Sequence, residues 1–385
     1  MRQKNYIKNR FFLFLFFTII TTLIVSGCKN EHSPTPTPLP SAKHEPSLIK
    51  EIKGLSPSIE TIKVREGEFN TVSGWLDNDT ILYIADINQG SSVFSHNLTT
   101  GEEEILFESS SPIVSVMISP LKDFFLVHSS PSTNEAHITV LSKDGKKVFE
   151  ESIPSTELNI EWNLYNESSI LLTAFTEDWE FTVWNLDIES NHLTEVPLPQ
   201  PFGYWNGENE LLYLNWDMEA PSLYAALKKF NLINNESSDI KPQILQVDTF
   251  KNVFMTIEVE EEHSQNAVYT FLTSNAEKLF SYETPHLSSY SDWLVPYYDF
   301  NREENRFLTY QPLHYAEADT YQDGFQLVSY DINTGKSSVL LENMDNEPLS
   351  CTPDGEKCLS GFYFEKLVHV NSKEIISLVE DNSLE

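Results

Sequence analysis

The feature that most constrains this chain is a repeat. From residue 58 onward, two sorts of turn alternate without exception. One sort falls at Asp77-Asn78-Asp79, Leu121-Lys122-Asp123, Asn166-Glu167, Asn206-Gly207-Glu208, Lys251-Asn252, Arg302-Glu303 and Pro353-Asp354-Gly355. The other falls at Thr100-Gly101, Asp144-Gly145, Ser190-Asn191, Asn234-Asn235, Asn275-Ala276, Thr334-Gly335 and Asn371-Ser372. Successive units lie about 45 residues apart, stretched to about 60 before Thr334 and shortened after it. Short apolar or alternating runs separate the turns, and helical periodicity is scarce. Each unit therefore reads strand A, turn, strand B, loop, strand C, turn, strand D. In the first, strand B lies near Ile81 to Ile84 and strand C near Val93 to Asn97. In the sixth, C is Phe325 to Tyr330 and D is Ser338 to Leu341. A four-stranded unit at this period is a propeller blade: one blade cannot bury both its faces, whereas a closed ring can. The expected fold is all-β, a β-propeller of four-stranded antiparallel blades over residues 58–385. Seven units are counted, and six is the count if one is misread. A pair of β-sandwiches with chance spacing is the competing architecture.

Two local patterns point the same way. Ile118-Ser-Pro-Leu-Lys-Asp-Phe-Phe125 and Cys351-Thr-Pro-Asp-Gly-Glu-Lys-Cys358 resemble the "SPDG" signature that joins strands A and B in many propellers. Tyr330-Asp-Ile-Asn-Thr-Gly-Lys336 resembles the D-x-x-T-G-K hairpin between strands C and D of the same group. With the lipid-attachment motif described next, the chain resembles bacterial propeller lipoproteins of the YqgU-like kind. That resemblance implies six blades and brings no established activity with it.

The first 27 residues give an address. Arg2, Lys4, Lys8 and Arg10 precede an uncharged apolar run, Phe11 to Val25, which ends in Val25-Ser26-Gly27-Cys28. This is the layout of a signal peptide, and the run is short for a membrane span, which takes about 20 residues. Val-Ser-Gly-Cys resembles the lipobox of bacterial lipoproteins. The resemblance implies cleavage before Cys28, a diacylglyceryl group with palmitate-type acyl chains on its sulfur, and anchoring on the extracytoplasmic face of the cell membrane. Two chains hold stably where one binds marginally. An ordinary secreted protein and an uncleaved anchor are the other readings. Residues 28–57 then form a tether. Ser33-Pro-Thr-Pro-Thr-Pro-Leu-Pro40 fixes φ at alternate residues and removes backbone donors, which gives an extended, disordered spacer. An SH3-type proline ligand is the sharper alternative.

Charge narrows the partners. The chain carries 58 Asp+Glu against 25 Lys+Arg, a formal net charge of −33. Cleavage removes four basic and no acidic residues, leaving 21 against 58, or −37. A nucleic-acid partner is excluded on these grounds, because that affinity rests on cations neutralising phosphates. The three cysteines exclude a disulfide-dense mini-domain and a Cys-rich zinc module. Cys28 is the lipid site. Cys351 and Cys358 flank the last A–B turn, in the slots where the second unit has Ile118 and Phe125. Those are core-facing positions on paired strands, and a disulfide there would contribute about 2–3 kcal/mol in the chain-entropy model. Free buried thiols and a redox-active pair are the alternatives.

Antiparallel strands put the A–B and C–D turns on one face of the ring and the B–C and D–A loops on the other. The first face has tight turns; the second has long loops rich in aromatics and carboxylates, and loops on a rigid scaffold carry binding residues. The candidates there are Trp179, Trp216, Asp217, Glu219, His263, His314, Tyr315, Asp319 and Tyr321 in B–C loops, with Trp293 in a D–A connection. Flat aromatic faces beside carboxylates suit a sugar, a peptide or a cationic partner. Trp162 and Trp205, on strand A, belong to the inter-blade core. No EF-hand loop, His-Glu-x-x-His, P-loop, dinucleotide fingerprint or Gly-x-Ser-x-Gly elbow occurs, so no catalytic residue, metal ligand or cofactor is assigned. Asp77 to Asp79 and Asp319 to Asp323 are no more than fragments of a calcium loop. The favoured function is a membrane-anchored binding or scaffolding module for a protein or an envelope polymer. It predicts an exposed aromatic patch on the loop face and no buried cluster of ionisable groups. The alternative is a hydrolase or lyase acting on envelope material. It predicts a deep pocket with two close carboxylates, or a carboxylate–histidine pair, of perturbed pKa.

Overall fold

Each of the fourteen turns joins two consecutive strands of one sheet in a computed structural model of the chain. The structure describes residues 59–380, apart from 218, 221, 260–263 and 289–292; of Trp293 it describes the backbone alone. Cys28, the signal segment, the proline-rich tether and His263 lie outside the described residues. Seven four-stranded antiparallel sheets follow one another, over residues 68–109, 113–154, 157–195, 204–244, 246–285, 298–344 and 349–377. Within each sheet the strands pair in chain order. The fold is thus an all-β propeller of seven blades, not the six that the family resemblance implied.

Local chemistry explains the hairpins. In blade 6, Asp331 Oδ1 accepts the backbone N–H groups of Asn333 (2.9 Å) and Thr334 (3.0 Å). Gly335 follows at φ 70°, and its N–H closes the turn on the Asp331 carbonyl at 2.8 Å. Asn97, Asp187 and Asn231 cap the equivalent turns of blades 1, 3 and 4 in the same way. Every C–D hairpin has one left-handed residue at its tip: Gly101, Gly145, Asn191, Asn235, Ala276, Gly335 and Lys373. Glycine and asparagine adopt that conformation readily; alanine and lysine do so at a cost.

Packing follows strand position. Middle strands are mostly apolar, as in Ser169–Phe175 of blade 3, where every residue is buried and only Ser169 and Thr173 are polar. Outer strands face solvent, as in Glu236–Ile244, which is mostly exposed. Neighbouring blades share layers of core: Trp162 packs with Leu126, Ile138 and Leu172 between blades 2 and 3. Trp205 packs with Leu171 and Val183 between blades 3 and 4. Between blades 5 and 6 the layer is aromatic, with Phe250 stacked on Phe300 at 4.4 Å and Tyr282 on Tyr330 at 4.1 Å.

The ring closes through side chains and a short clasp. Ile62, fully buried, bridges in parallel to Val379 and packs with Val72, Trp75, Leu359 and Leu367. The last blade carries the Cys351–Cys358 disulfide. The two cysteines are direct partners across strands A and B, in the register that Ile118 and Phe125 occupy in blade 2. Tyr310 is a core residue of Arg306–Pro312, and the long B–C loop of blade 6 begins after Pro312. That loop also pairs with the preceding D–A connection: Leu287–Ser288, Trp293–Leu294 and Ala316–Glu317 form a small three-stranded sheet.

Candidate functional site

Strands A of successive blades face the ring axis, and at their A–B ends they enclose a cavity of about 480 Å3. Its wall comes from blades 2 and 3 on one side and blades 6 and 7 on the other. Five ionisable side chains line it: Lys122, Glu161, Asp299, Arg302 and Glu303. A second depression of about 590 Å3 adjoins it toward blades 1 and 2 and shares Leu121, Lys122, Glu303 and Pro353. Lys122 stands at φ 70° in its A–B turn, a backbone state that a non-glycine residue takes only when the surroundings hold it.

The electrostatics are unusual for so acidic a chain. Burial, with the neighbouring Asp248 carboxyl, pushes Glu161 up to about 8, while Arg302 opposes the shift. Burial also raises Asp248, although Tyr298 Oη–H donates to its Oδ2 at 2.8 Å. Asp299 is raised by burial against the pull of the Cys351 N–H, which donates to its Oδ2 at 2.7 Å. Burial lowers both Arg302 and Lys122, and for Lys122 the charge of Arg302 adds to the effect. Tyr204 is pushed up to about 12 by burial and by the charges of Asp248 and Glu161. Lys122, Glu161, Tyr204, Asp248 and Asp299 are half-buried and Arg302 is exposed, so these groups line the lumen while remaining open to it. Asp299 and Asp248 have hydrogen-bond donors, whereas the described residues supply none for the Glu161 carboxyl and no ion pair for Arg302 or Lys122. No cluster of three or more His, Cys, Asp or Glu suited to a metal ion occurs among the described residues.

This mouth is not the one favoured from sequence. Of the ionisable residues that build it, Glu161 and Asp299 lie on the inner strands of blades 3 and 6, whereas Lys122, Arg302 and Glu303 lie in the A–B turns of blades 2 and 6. No contiguous motif marks them. The convergent ionisable groups thus lie at the A–B face, opposite the loop-rich face for which the binding reading expected none. The calcium fragments are otherwise engaged. Asp77 Oδ1 caps its own turn through the Asp79 and Thr80 N–H groups, and Asp79 pairs with Lys357 at 2.7 Å. Asp319 is exposed on a short 3-10 turn, Ala318–Thr320.

The opposite face carries the exposed aromatics. Trp179 is 70% exposed at φ 61°, its ring edge-on to Phe175 at 6.1 Å, and Phe202 lies on the other side of Phe175 at 5.9 Å. Across the ring, Phe362 and Tyr363 are 64% and 60% exposed, and Tyr297 meets Phe362 edge-on at 6.3 Å. Tyr315 is exposed and abuts the His286 ring at 5.1 Å. Other candidates have structural work. Trp216 is half-buried against Leu212 and Leu214, and its carbonyl accepts Gln200 Nε2. Asp217 Oδ1 caps the loop through the N–H groups of Glu219 and Ala220, leaving Glu219 exposed. Tyr321 ties the long loop together, accepting the Leu313 N–H and donating to the Gly324 carbonyl at 2.6 Å. His314 pairs with Asp323 at 3.5 Å in solvent. Phe362, Tyr363 and Tyr297 were missed, although Gly361-Phe-Tyr-Phe364 placed between two strands is a loop signal of the same kind as Trp179.

Comparison with known proteins agrees on the propeller and differs in blade number. Residues 97–361 match the model of the YqgU-like 6-bladed beta propeller domain. That span holds blades 2 to 6 whole and parts of blades 1 and 7. The chain is similar to the uncharacterized lipoprotein YqgU of Bacillus subtilis (strain 168), with 23% identity over 308 residues, 80% of this chain and 84% of that protein. Its fold is similar to the crystal structure of an uncharacterized protein from Listeria monocytogenes EGD-e, with a TM-score of 0.78, 24% identity, and coverage of 85% of this chain and 99% of that one. It is also similar to the β-propeller domain of the Trilobed protease from Pyrococcus furiosus, with a TM-score of 0.53, 11% identity, and coverage of 83% and 100%.

Proposed function

The chain belongs to the YqgU-like 6-bladed beta propeller family, and from that premise we propose that it is a lipid-anchored, extracytoplasmic binding module. Cys28 would carry the anchor, residues 28–57 the tether, and the propeller the recognition surface. The lipobox and the lipoprotein name of the Bacillus relative support the anchor. The observation that carries the binding reading is the segregation of exposed aromatic side chains to the B–C/D–A face: Trp179, Phe202, Tyr297, Tyr315, Phe362 and Tyr363. Large rigid aromatics at a surface supply contact area at low entropic cost, and interface hot spots are enriched in them. The partner that fits is a membrane or envelope protein presenting a mixed apolar and cationic patch, given the chain's net charge of −33.

Photo-crosslinking tests this in cells that make the full chain. Benzoylphenylalanine at Trp179, Tyr315 or Phe362 should give one shared adduct, and the same probe at Leu121 or Ile233 on the opposite rim should give none. Equal crosslinking from both rims, or none from the loop face, would sink the reading. A hydrolase or lyase remains the second reading, because the axial cavity holds one carboxyl, Glu161, in the protonated form that a general acid needs. It requires turnover of envelope polymer that is lost in Glu161→Gln.

A further inference from the structure

The axial cavity makes a separate statement, independent of the loop face. Its wall carries two cations, Lys122 and Arg302, neither paired with a carboxylate at ion-pair distance in a chain where acids outnumber bases 58 to 25. Such groups would be expected to find acidic partners. Lys122 feels the charges of Arg302 and Asp299, and Arg302 those of Asp299, Glu161 and Asp248, yet no carboxylate closes to ion-pair distance on either cation among the described residues. The Glu161 carboxyl, in the same wall, has no hydrogen-bond partner among the described residues. Ile118, Trp162, Leu164 and Phe300 add apolar surface to the wall.

We propose that this cavity binds a small polyhydroxylated anion, a sugar acid or sugar phosphate, with its anionic group between Arg302 and Lys122 and its hydroxyls on Glu161. Two unpaired cations suit one carboxylate or phosphate, and arginine can engage either with two parallel hydrogen bonds. A neutral carboxyl both donates and accepts, which is what vicinal hydroxyls need. The apolar stretches match the C–H faces of a sugar ring. At about 480 Å3 the volume suits a mono- or disaccharide. A simple cation is disfavoured by Arg302 and Lys122, and a bare inorganic anion would leave Glu161 and the apolar wall unused.

Calorimetric titration of the intact protein at low salt tests this with D-glucuronate, D-glucose 6-phosphate, D-glucose and D-glucosamine. Either or both anions should bind at least about tenfold more tightly than glucose. The glucuronate and phosphate arms decide which anionic group is preferred. Arg302→Gln should weaken binding about tenfold or more, Arg302→Lys less, and Glu161→Leu more than Glu161→Gln. Unchanged thermal unfolding of Arg302→Lys guards against a folding defect. The proposal is overturned if glucose or glucosamine binds as tightly as the anions. It is equally overturned if no anion binds, or if Arg302→Gln leaves the affinity unchanged.

Discussion

The Trp75 indole Nε1–H donates to the Ser350 backbone carbonyl at 2.9 Å, joining residues 275 apart in sequence. Trp75 ends the inner strand of blade 1 and Ser350 lies in the inner strand of blade 7. The bond therefore stitches the first blade to the last. It is supported by the Asp79–Lys357 ion pair and by Ile62, wedged into the same seam. The first and last blades meet here, so closure of the ring rests on contacts between residues far apart in sequence.

Trp75→Phe keeps an aromatic ring but removes the donor and some volume. The Ser350 carbonyl loses its partner in a buried seam, and stability should fall by about 2–3 kcal/mol. Urea denaturation measures this as a lower midpoint with an unchanged slope. Trp179→Phe, at 70% exposure, should shift the midpoint by less than about 0.5 kcal/mol. Equal effects at the two positions would contradict the assigned closure.

The disulfide acts on the same blade. Cys351 and Cys358 are separated by seven residues, and closing so short a loop contributes about 2–3 kcal/mol by restricting the unfolded chain. Adding dithiothreitol should lower the wild-type melting temperature. The double variant Cys351→Ile/Cys358→Phe, which copies the pair used in blade 2, should melt at the same temperature with and without reductant. A wild-type melting temperature indifferent to reductant would contradict the pairing.

Two hairpin tips hold a residue poorly suited to its backbone. Ala276 at φ 64° and Lys373 at φ 62° occupy the position that glycine takes in blades 1, 2 and 6. Ala276→Gly and Lys373→Gly should each stabilise the protein by about 0.5–1 kcal/mol, because relief of the left-handed strain outweighs the added freedom of the unfolded chain. Thermal unfolding of the two single variants and their combination checks this, and additive gains are expected because the turns are in different blades.

The turns were legible because their chemistry is local. Asp331 and Gly335 specify a hairpin with no reference to the rest of the fold, and the same holds for Asn97 with Gly101. Blade number followed from counting such turns. The axial site was not legible, because Lys122, Glu161, Asp299 and Arg302 come from three blades and converge only when the ring closes. One trace was present in the sequence. Glu161 and Asp299 are acids within strands otherwise built to pack, and a charged residue on the innermost strand of a blade has only the axis to face. Trp179 was legible as a loop residue. Trp216 was read as its equivalent yet turns inward, a difference set by rotamer and loop path, not by composition.

The pH dependence of stability provides the last test. In the folded protein Glu161 keeps its proton up to about 8, whereas in the unfolded chain it loses it near 4.5. Between those values the unfolded state binds fewer protons than the folded one, so stability falls as pH rises from about 4.5 to about 8 and then levels off. Asp248 and Asp299, also raised by burial, act in the same direction, and Arg302 and Tyr204 are the other ionisable groups coupled to Glu161. Asp79, held low by its hydrogen bond to Lys357, acts in the opposite sense: its contribution is present at neutral pH and lost on acidification. Glu161→Gln removes one titration without changing the side chain's size. The variant should match wild type near pH 4 and exceed it near pH 9 by on the order of 3 kcal/mol. Parallel urea titrations at the two pH values measure the difference. If Glu161→Gln tracks wild type at both, the carboxyl is already ionised at neutral pH, and the hydrogen-bond donor assigned to it in the axial cavity does not exist.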